Sequence, residues 1–149
     1  MATMVGKEST LSERLNNLIE LDYDAITAYR EAIERIDDAE SKQELAKFMA
    51  DHERHTEELS AHLKSMGETP PTEGDAKSML TKGKVMLADI AGDKAMLKAM
   101  KTNEDDTNTA YERAVEHDDT PAELKAILER NLADERRHRD WIESRAEAL

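Results

Sequence analysis

Apolar residues recur every three or four positions through four long stretches of the chain, which is the spacing of amphipathic helices. This pattern predicts helices over about 11–36, 39–66 and 93–116, and a fourth with Pro121 in its first turn. Four long helices that bury one apolar face each are typical of a bundle, so the predicted fold class is all-α.

The residues at the ends of these stretches are types that start and stop helices. Thr10 and Glu13 form a capping box before the first helix, and Asp38 offers an N-cap for the second. Residues 67–92 hold four of the five glycines, and a short amphipathic piece over about 76–90 predicts a connecting helix. Such a long connection can run from one end of a bundle to the other.

The two halves of the chain resemble each other. Residues 27–34 (TAYREAIE) recur as residues 109–116 (TAYERAVE), and residues 50–55 (ADHERH) recur as residues 133–138 (ADERRH). The offset is 82 residues for the first pair and 83 for the second. The chain therefore predicts two duplicated antiparallel helical hairpins that are joined by the long crossover.

Ionisable residues interrupt each apolar stripe near its centre. The first and third helices each carry one acid there, the second carries two histidines three residues apart, and the fourth carries Glu-x-x-His. All lie about 15 to 18 residues from the turn of their own hairpin, so we expect them in one layer of the core. The six residues are Asp22, His52, His55, Glu104, Glu135 and His138.

A buried layer of this kind must be internally paired or must hold a cation, because isolated buried charges are costly. The i, i+3 steps favour metal, since they place two ligand atoms on one helical face within reach of one ion or two neighbouring ions. A metal-free network of buried carboxylates and imidazoles is the alternative. The remaining histidines, His62 and His117, fall outside the layer and are not expected to bind metal.

Four further side chains are placed to support the six. Asp51 and Asp134 each stand four residues before a histidine and could accept its ring N–H, or else be solvated surface acids. Tyr29 and Tyr111 lie about two turns past the lone acids and could hydrogen-bond the site, or else be ordinary core aromatics. The pattern assigns no catalytic residue.

The composition of the chain limits the partners and the metal ligands that it can have. The 149 residues fit one domain over 1–149, with polar residues 1–10 as a flexible N-terminus. A net charge of −13 and 3% aromatic residues argue against nucleic-acid or anionic-membrane partners. Because there is no cysteine, any metal must be held by nitrogen and oxygen.

The start lacks a signal peptide and no apolar stretch is long enough for a membrane span, so we expect a cytoplasmic protein.

The ligand pattern resembles the di-iron carboxylate proteins of the ferritin-like superfamily, which place one Glu on each of two helices and Glu-x-x-His on each of two others. In bacterioferritins and rubrerythrins the lone Glu precedes a Tyr by seven residues. Glu104 and Tyr111 keep that spacing, and so do Asp22 and Tyr29 with Asp in place of Glu.

Longer stretches carry the same resemblance. Residues 134–143 (DERRHRDWIE) are similar to the last long helix of bacterioferritins, and residues 92–97 and 103–105 resemble small bacterial ferritin-like proteins of uncharacterised function. The resemblance covers residues 11–143. It implies a ferritin-like four-helix bundle with a metal site formed by the six residues, and Fe(II), O2 or peroxide chemistry in iron or oxidative-stress handling.

The sequence departs from the family pattern at two ligands. Asp22 is shorter than Glu, and His52 stands where the family has a carboxylate that bridges two metals. Two divalent ions would meet about three negative charges instead of four, so an asymmetric di-iron site and a single Fe, Zn or Mn ion both stay open. Glu53 occupies the position of a haem-ligating Met in bacterioferritins, so we expect no haem.

Two functions of different classes follow. The first is a cytoplasmic non-haem metal protein, with iron as the expected metal and ferroxidase-like or peroxidase-like oxidoreductase chemistry on O2 or peroxide. The second is a non-catalytic helical interaction protein whose layer is a structural zinc site or a metal-free polar network.

The resemblance leaves monomers, homodimers and larger assemblies open. Because no further helix follows Leu149, we do not expect a large storage shell.

Overall fold

The computed structural model describes residues 3–74, 87 and 90–149. Over these residues the chain forms helices α1 (Leu11–Arg35), α2 (Ala39–Ser65), α3 (Asp93–Glu116) and α4 (Ala122–Ala148), and no strand. The all-α bundle is therefore confirmed. Pro121 is the N-cap of α4 instead of lying in its first turn. The predicted connecting helix falls outside the described residues, apart from Leu87 and Ile90.

Local sequence sets the helix ends much as expected. The Thr10 hydroxyl accepts a hydrogen bond from the Glu13 backbone N–H at 3.2 Å, and the Asp38 carboxylate accepts one from the Ser41 N–H at 3.1 Å. Gly67 follows α2 with a φ of 81°, a left-handed conformation that glycine adopts without a Cβ clash.

The four helices pack as two antiparallel hairpins, α1 with α2 and α3 with α4, with further contacts between α1 and α3 and between α2 and α4. Asp93 at the start of α3 accepts hydrogen bonds from the backbone N–H groups of Asp37 and Asp38. Arg145 near the end of α4 pairs with Asp38 at 2.9 Å. The end of α2 and the start of α3 therefore lie at opposite ends of the bundle, about 40 Å apart for a helix of 27 residues.

Two apolar clusters form the core, one toward each end of the bundle, with buried polar side chains between them. One includes Tyr29, Phe48, Leu97, Met100 and Ile142, and the other includes Leu15, Leu18, Leu59, Tyr111 and Leu128. Met66, the last residue of the predicted second helix, lies at the C-cap of α2 and is 40% exposed. None of the helices in the described part of the chain is long and apolar enough to cross a bilayer.

Residues 3–6, within the polar N-terminal segment, lie against α3. Arg113 donates hydrogen bonds to the backbone carbonyls of Thr3 at 2.6 Å and Val5 at 3.2 Å. Gly6 has a φ of 98°, and a Cβ built on it would lie 2.6 Å from the Arg113 Cβ. These contacts join residues more than a hundred positions apart, so no local pattern indicates them.

Candidate metal centre

The six predicted residues meet in one layer of the bundle core, and each is at most 1% exposed. Their nitrogen and oxygen atoms form two groups, and within each group the atoms lie within 4.8 Å of one another. The first group is Asp22, His52, His55 and Glu135, and the second is His52, Glu104, Glu135 and His138. Imidazole and carboxylate donors at this spacing could hold a metal ion in either group.

The His52 ring lies between Asp22 on α1 and Glu104 on α3. Its Nδ1 donates to Asp22 Oδ1 at 2.7 Å and also lies 3.4 Å from Glu135 Oε1. Its Nε2 lies 3.1 Å from Glu104 Oε1. Nδ1 therefore faces acids of both hairpins, and Nε2 faces an acid of the second hairpin.

Each tyrosine hydrogen-bonds the acid of the other hairpin. The Tyr111 hydroxyl on α3 donates to Asp22 Oδ2 at 2.6 Å, and the Tyr29 hydroxyl on α1 donates to Glu104 Oε1. Burial and the neighbouring carboxylates raise the pKa of both phenols well above the ordinary value of 10.0. Both tyrosines therefore stay protonated and fix the orientation of the acids.

The supporting acids pair with histidines of the opposite hairpin, so the predicted pairing within one helix is wrong. His55 Nε2 donates to Asp134 Oδ2 at 3.0 Å, and His138 Nε2 donates to Asp51 Oδ2 at 2.8 Å. The Nδ1 atom of each ring faces the layer, so Nε2 points across the interface between α2 and α4. Both acids are mostly buried there and are not freely solvated.

Two arginines outside the predicted set surround these acids. Arg54 pairs with Asp134 across the hairpins, and Arg137 pairs with Asp51 at 2.7 Å. Burial opposes ionisation of Asp134, but hydrogen bonds from His55 and Arg137 lower its pKa to about 2. In the same way, His138 and Arg137 outweigh burial and hold the pKa of Asp51 well below its ordinary value.

The layer is electrostatically coupled. Burial disfavours charged imidazoles, but the Glu135 charge and hydrogen bonds to Asp22 and Glu104 raise the pKa of His52 to about 9. The pKa values of His55 and His138 rise to about 11. Conversely, hydrogen bonds from the histidines outweigh burial and lower the pKa values of Asp22 and Glu104. A metal ion must displace protons from these imidazoles.

Within the described part of the chain, two polar atoms of the layer are buried without a hydrogen-bond partner, Glu135 Oε1 and His138 Nδ1. His138 Nδ1 lies 3.6 Å from Glu104 Oε1 and 3.7 Å from Glu135 Oε2, beyond ordinary hydrogen-bond length. An unpaired buried polar group costs about 1–3 kcal/mol, and coordination of a cation would satisfy both atoms. The donor set thus fits a nitrogen- and oxygen-bound metal.

Sequence comparison places the chain in a family. A family model described as Domain of unknown function (DUF2383) matches residues 10–117, which include α1, α2 and α3. The chain belongs to the DUF2383 family. No curated protein and no solved structure matches the chain significantly. The DUF2383 match contains four of the six layer residues, whereas Glu135 and His138 lie beyond it on α4.

Two polar residues of α3 in this DUF2383 protein were not predicted from the sequence. Thr107 Oγ1 lies 3.0 Å from both Glu104 Oε2 and Glu135 Oε2. Asn108 Nδ2 donates to the backbone carbonyls of Glu104 and Glu135 at 2.7 and 3.0 Å. They follow Glu104 by three and four residues, so the helical period that located Glu104 also places them on its face.

The two sides of the DUF2383 layer differ despite the repeat. Phe48 stacks on His138 with ring centroids 4.4 Å apart. The equivalent position 83 residues later is Asn131, which is fully buried and whose amide atoms have no partner among the described residues. The repeat therefore has an aromatic ring at one of these equivalent positions and a buried amide at the other.

The other candidates lie apart from the layer. His62 is half-buried near the end of α2, and His117 Nε2 donates to the Gly6 carbonyl at 2.7 Å. Neither belongs to the two groups of possible ligands that the described residues form. Glu53, the residue on which the expectation of no haem rests, is exposed on α2.

Proposed function

We propose that this DUF2383 protein is a cytoplasmic, non-haem, iron-binding member of the ferritin-like superfamily that oxidises Fe(II) with O2 or reduces peroxide in iron or oxidative-stress handling. The observation that supports it most is the pair of buried ligand groups, which share His52 and Glu135. Iron bound there would supply one-electron redox chemistry that the side chains alone lack.

The chain's own residues would prepare the site for a cation. Tyr29 and Tyr111 orient the two lone acids, and Asp51 and Asp134 hold the Nε2–H groups so that Nδ1 of His138 and His55 faces inward. Such outer hydrogen bonds fix the tautomer and orientation of ligating imidazoles. The apolar clusters on both sides limit the access of water.

The charge of the protein favours the same role. The chain carries a net charge of −13, and most of its acids lie outside the buried layer. A negative surface potential raises the local concentration of cations such as Fe(II). Small uncharged oxidants, O2 or peroxide, would be the second substrate of this reaction.

A non-catalytic helical interaction protein is the second candidate, and the charge balance of the layer favours it. With three imidazolium groups facing Asp22, Glu104 and Glu135, the layer can be neutral without metal. Such a network, or a structural zinc ion, would stabilise the bundle without any reaction.

Metal analysis followed by Fe(II) oxidation separates the two candidates. We expect untagged protein to carry Fe, Zn or Mn, and near-ultraviolet absorbance to grow when Fe(II) is added in air. The His62→Ala variant should behave as wild type, and the double variant His55→Ala, His138→Ala should not. Metal binding without any increase in Fe(II) oxidation over buffer would favour the structural role.

A further inference from the structure

His52 differs from the other two histidines of the layer in how its ring is held. Both nitrogens of His52 face layer carboxylates, Nδ1 toward Asp22 and Nε2 toward Glu104. His55 and His138 turn only Nδ1 inward, because their Nε2 atoms are held by Asp134 and Asp51. Of these three histidines, His52 alone can therefore offer one nitrogen to each ligand group.

Glu135 also faces both ligand groups, with one carboxylate oxygen toward each. Its Oε1 lies 3.2 Å from His55 Nδ1, and its Oε2 lies 3.7 Å from His138 Nδ1. His52 and Glu135 are the two residues that both groups share. They are also equivalent positions of the repeat, 83 residues apart, where the first hairpin has His and the second has Glu.

We propose that His52 is a bridging ligand, with Nδ1 bound to a metal ion beside Asp22 and His55 and Nε2 bound to a second ion beside Glu104 and His138. This inference rests on the proposed metal binding and specifies its form. Binding of both ions removes both ring N–H protons of His52 to solvent and leaves an imidazolate that donates one electron pair to each ion. No electron is transferred in this step.

The bridge also balances the charge of the site. Three carboxylates supply three negative charges against the four positive charges of two divalent ions. An imidazolate supplies the fourth, so the substitution of His for a bridging carboxylate costs no ligand charge. Because its nitrogens point away from each other, the ions would lie farther apart than the roughly 3.5–4 Å of common two-metal sites.

The test is NMR of the full chain with ¹⁵N-labelled histidine, loaded with ¹¹³Cd(II), a spin-½ ion that accepts nitrogen and oxygen ligands. One-bond coupling to ¹¹³Cd splits the signal of each bound nitrogen. Signals of His62 and His117 are identified by their loss in His62→Gln and His117→Gln variants, which leave the layer intact.

We expect both nitrogens of His52 to be split, and only Nδ1 of His55 and His138, which serve as internal controls. Splitting of a single His52 nitrogen, or of none while His55 or His138 is split, would show a metal site without the bridge and overturn this proposal alone. If no layer histidine is split at saturating Cd(II), metal binding itself is contradicted.

Discussion

His55 Nε2 on α2 lies 3.0 Å from Asp134 Oδ2 on α4, so a histidine of the first hairpin is oriented by an acid of the second. His138 and Asp51 repeat this relationship in the opposite direction at 2.8 Å. Because each acid belongs to the other hairpin, an ion that orders these imidazoles also ties α2 to α4. Metal affinity and hairpin packing should therefore change together.

Replacing the acid tests this coupling. Asp134→Ala removes the acceptor for the His55 Nε2–H, and loss of such an outer partner typically lowers metal affinity about 10–100-fold. Competition dialysis with Zn(II) measures the change. Asp140→Ala, at a side chain of α4 that is 71% exposed, is the matched control and should bind as wild type. Equal affinities for both variants would show that Asp134 does not orient a ligand.

The metal-free protein should be most stable at mildly acidic pH. His55 and His138 have pKa values raised from 6.5 to about 11, so their contribution is complete below about pH 6.5 and is lost as pH rises toward 11. Asp22 and Glu104 have lowered pKa values, so their contribution is complete above 3.8 and 4.5 and is lost at lower pH. Thermal unfolding with a chelator should give the highest Tm between about pH 5 and 6.5.

Added metal should have the opposite pH dependence. Zn(II) needs imidazoles without protons at the coordinating nitrogens, so the rise in Tm that it causes should grow as pH increases from about 5.5 to 8.5. Paired unfolding scans with Zn(II) and with chelator measure this difference. A rise that is constant over this range would mean that the ion does not bind the layer histidines.

The tyrosine hydroxyls should stabilise the fold. Tyr111→Phe removes the donor to Asp22 and leaves a buried carboxylate oxygen unpaired, which costs about 1–3 kcal/mol in the free energy of unfolding. Urea unfolding at pH 6 with a chelator measures it. Tyr23→Phe, at a half-buried position of α1, should change stability by less than about 0.5 kcal/mol. A smaller loss for Tyr111→Phe than for Tyr23→Phe would contradict the assigned hydrogen bond.

Thr107 should matter through its hydroxyl and not through its shape. Thr107→Val keeps the volume but removes the group that lies 3.0 Å from Glu104 Oε2 and Glu135 Oε2. We expect a loss of about 1–3 kcal/mol in unfolding free energy. Thr102→Val, on the exposed face of α3, is the control and should be nearly neutral. Equal effects of the two substitutions would rule out a specific role for the Thr107 hydroxyl.

Helical periodicity predicts which residues face the core, because the apolar face of each helix has to be buried. It is therefore sufficient to locate Asp22 and Glu104 in the layer. Periodicity carries no information on which helix lies opposite, and for that reason the pairing of Asp51 with His138 was not predicted. Thr107 lies on the same face as Glu104, but a threonine at such a position does not by itself indicate a contact with buried acids.

The contacts of the buried Arg14 depend on tertiary structure and cannot be predicted from helical spacing. Arg14 is 1% exposed because it pairs with Asp119, beyond the end of α3, and donates to the Glu8 carbonyl. Its partners lie 105 and 6 residues away, and one of them is a backbone atom. No spacing rule for helices relates such positions.

Equilibrium Zn(II) binding to metal-stripped protein shows whether the buried layer binds metal. We predict two ions per chain for wild type and for His62→Ala, one for each ligand group, and no tight binding to the double variant His55→Ala, His138→Ala. Circular dichroism of the double variant checks that it remains helical. Tight binding that is unchanged in the double variant, or no tight binding to wild type, would show that the buried layer is not a metal site.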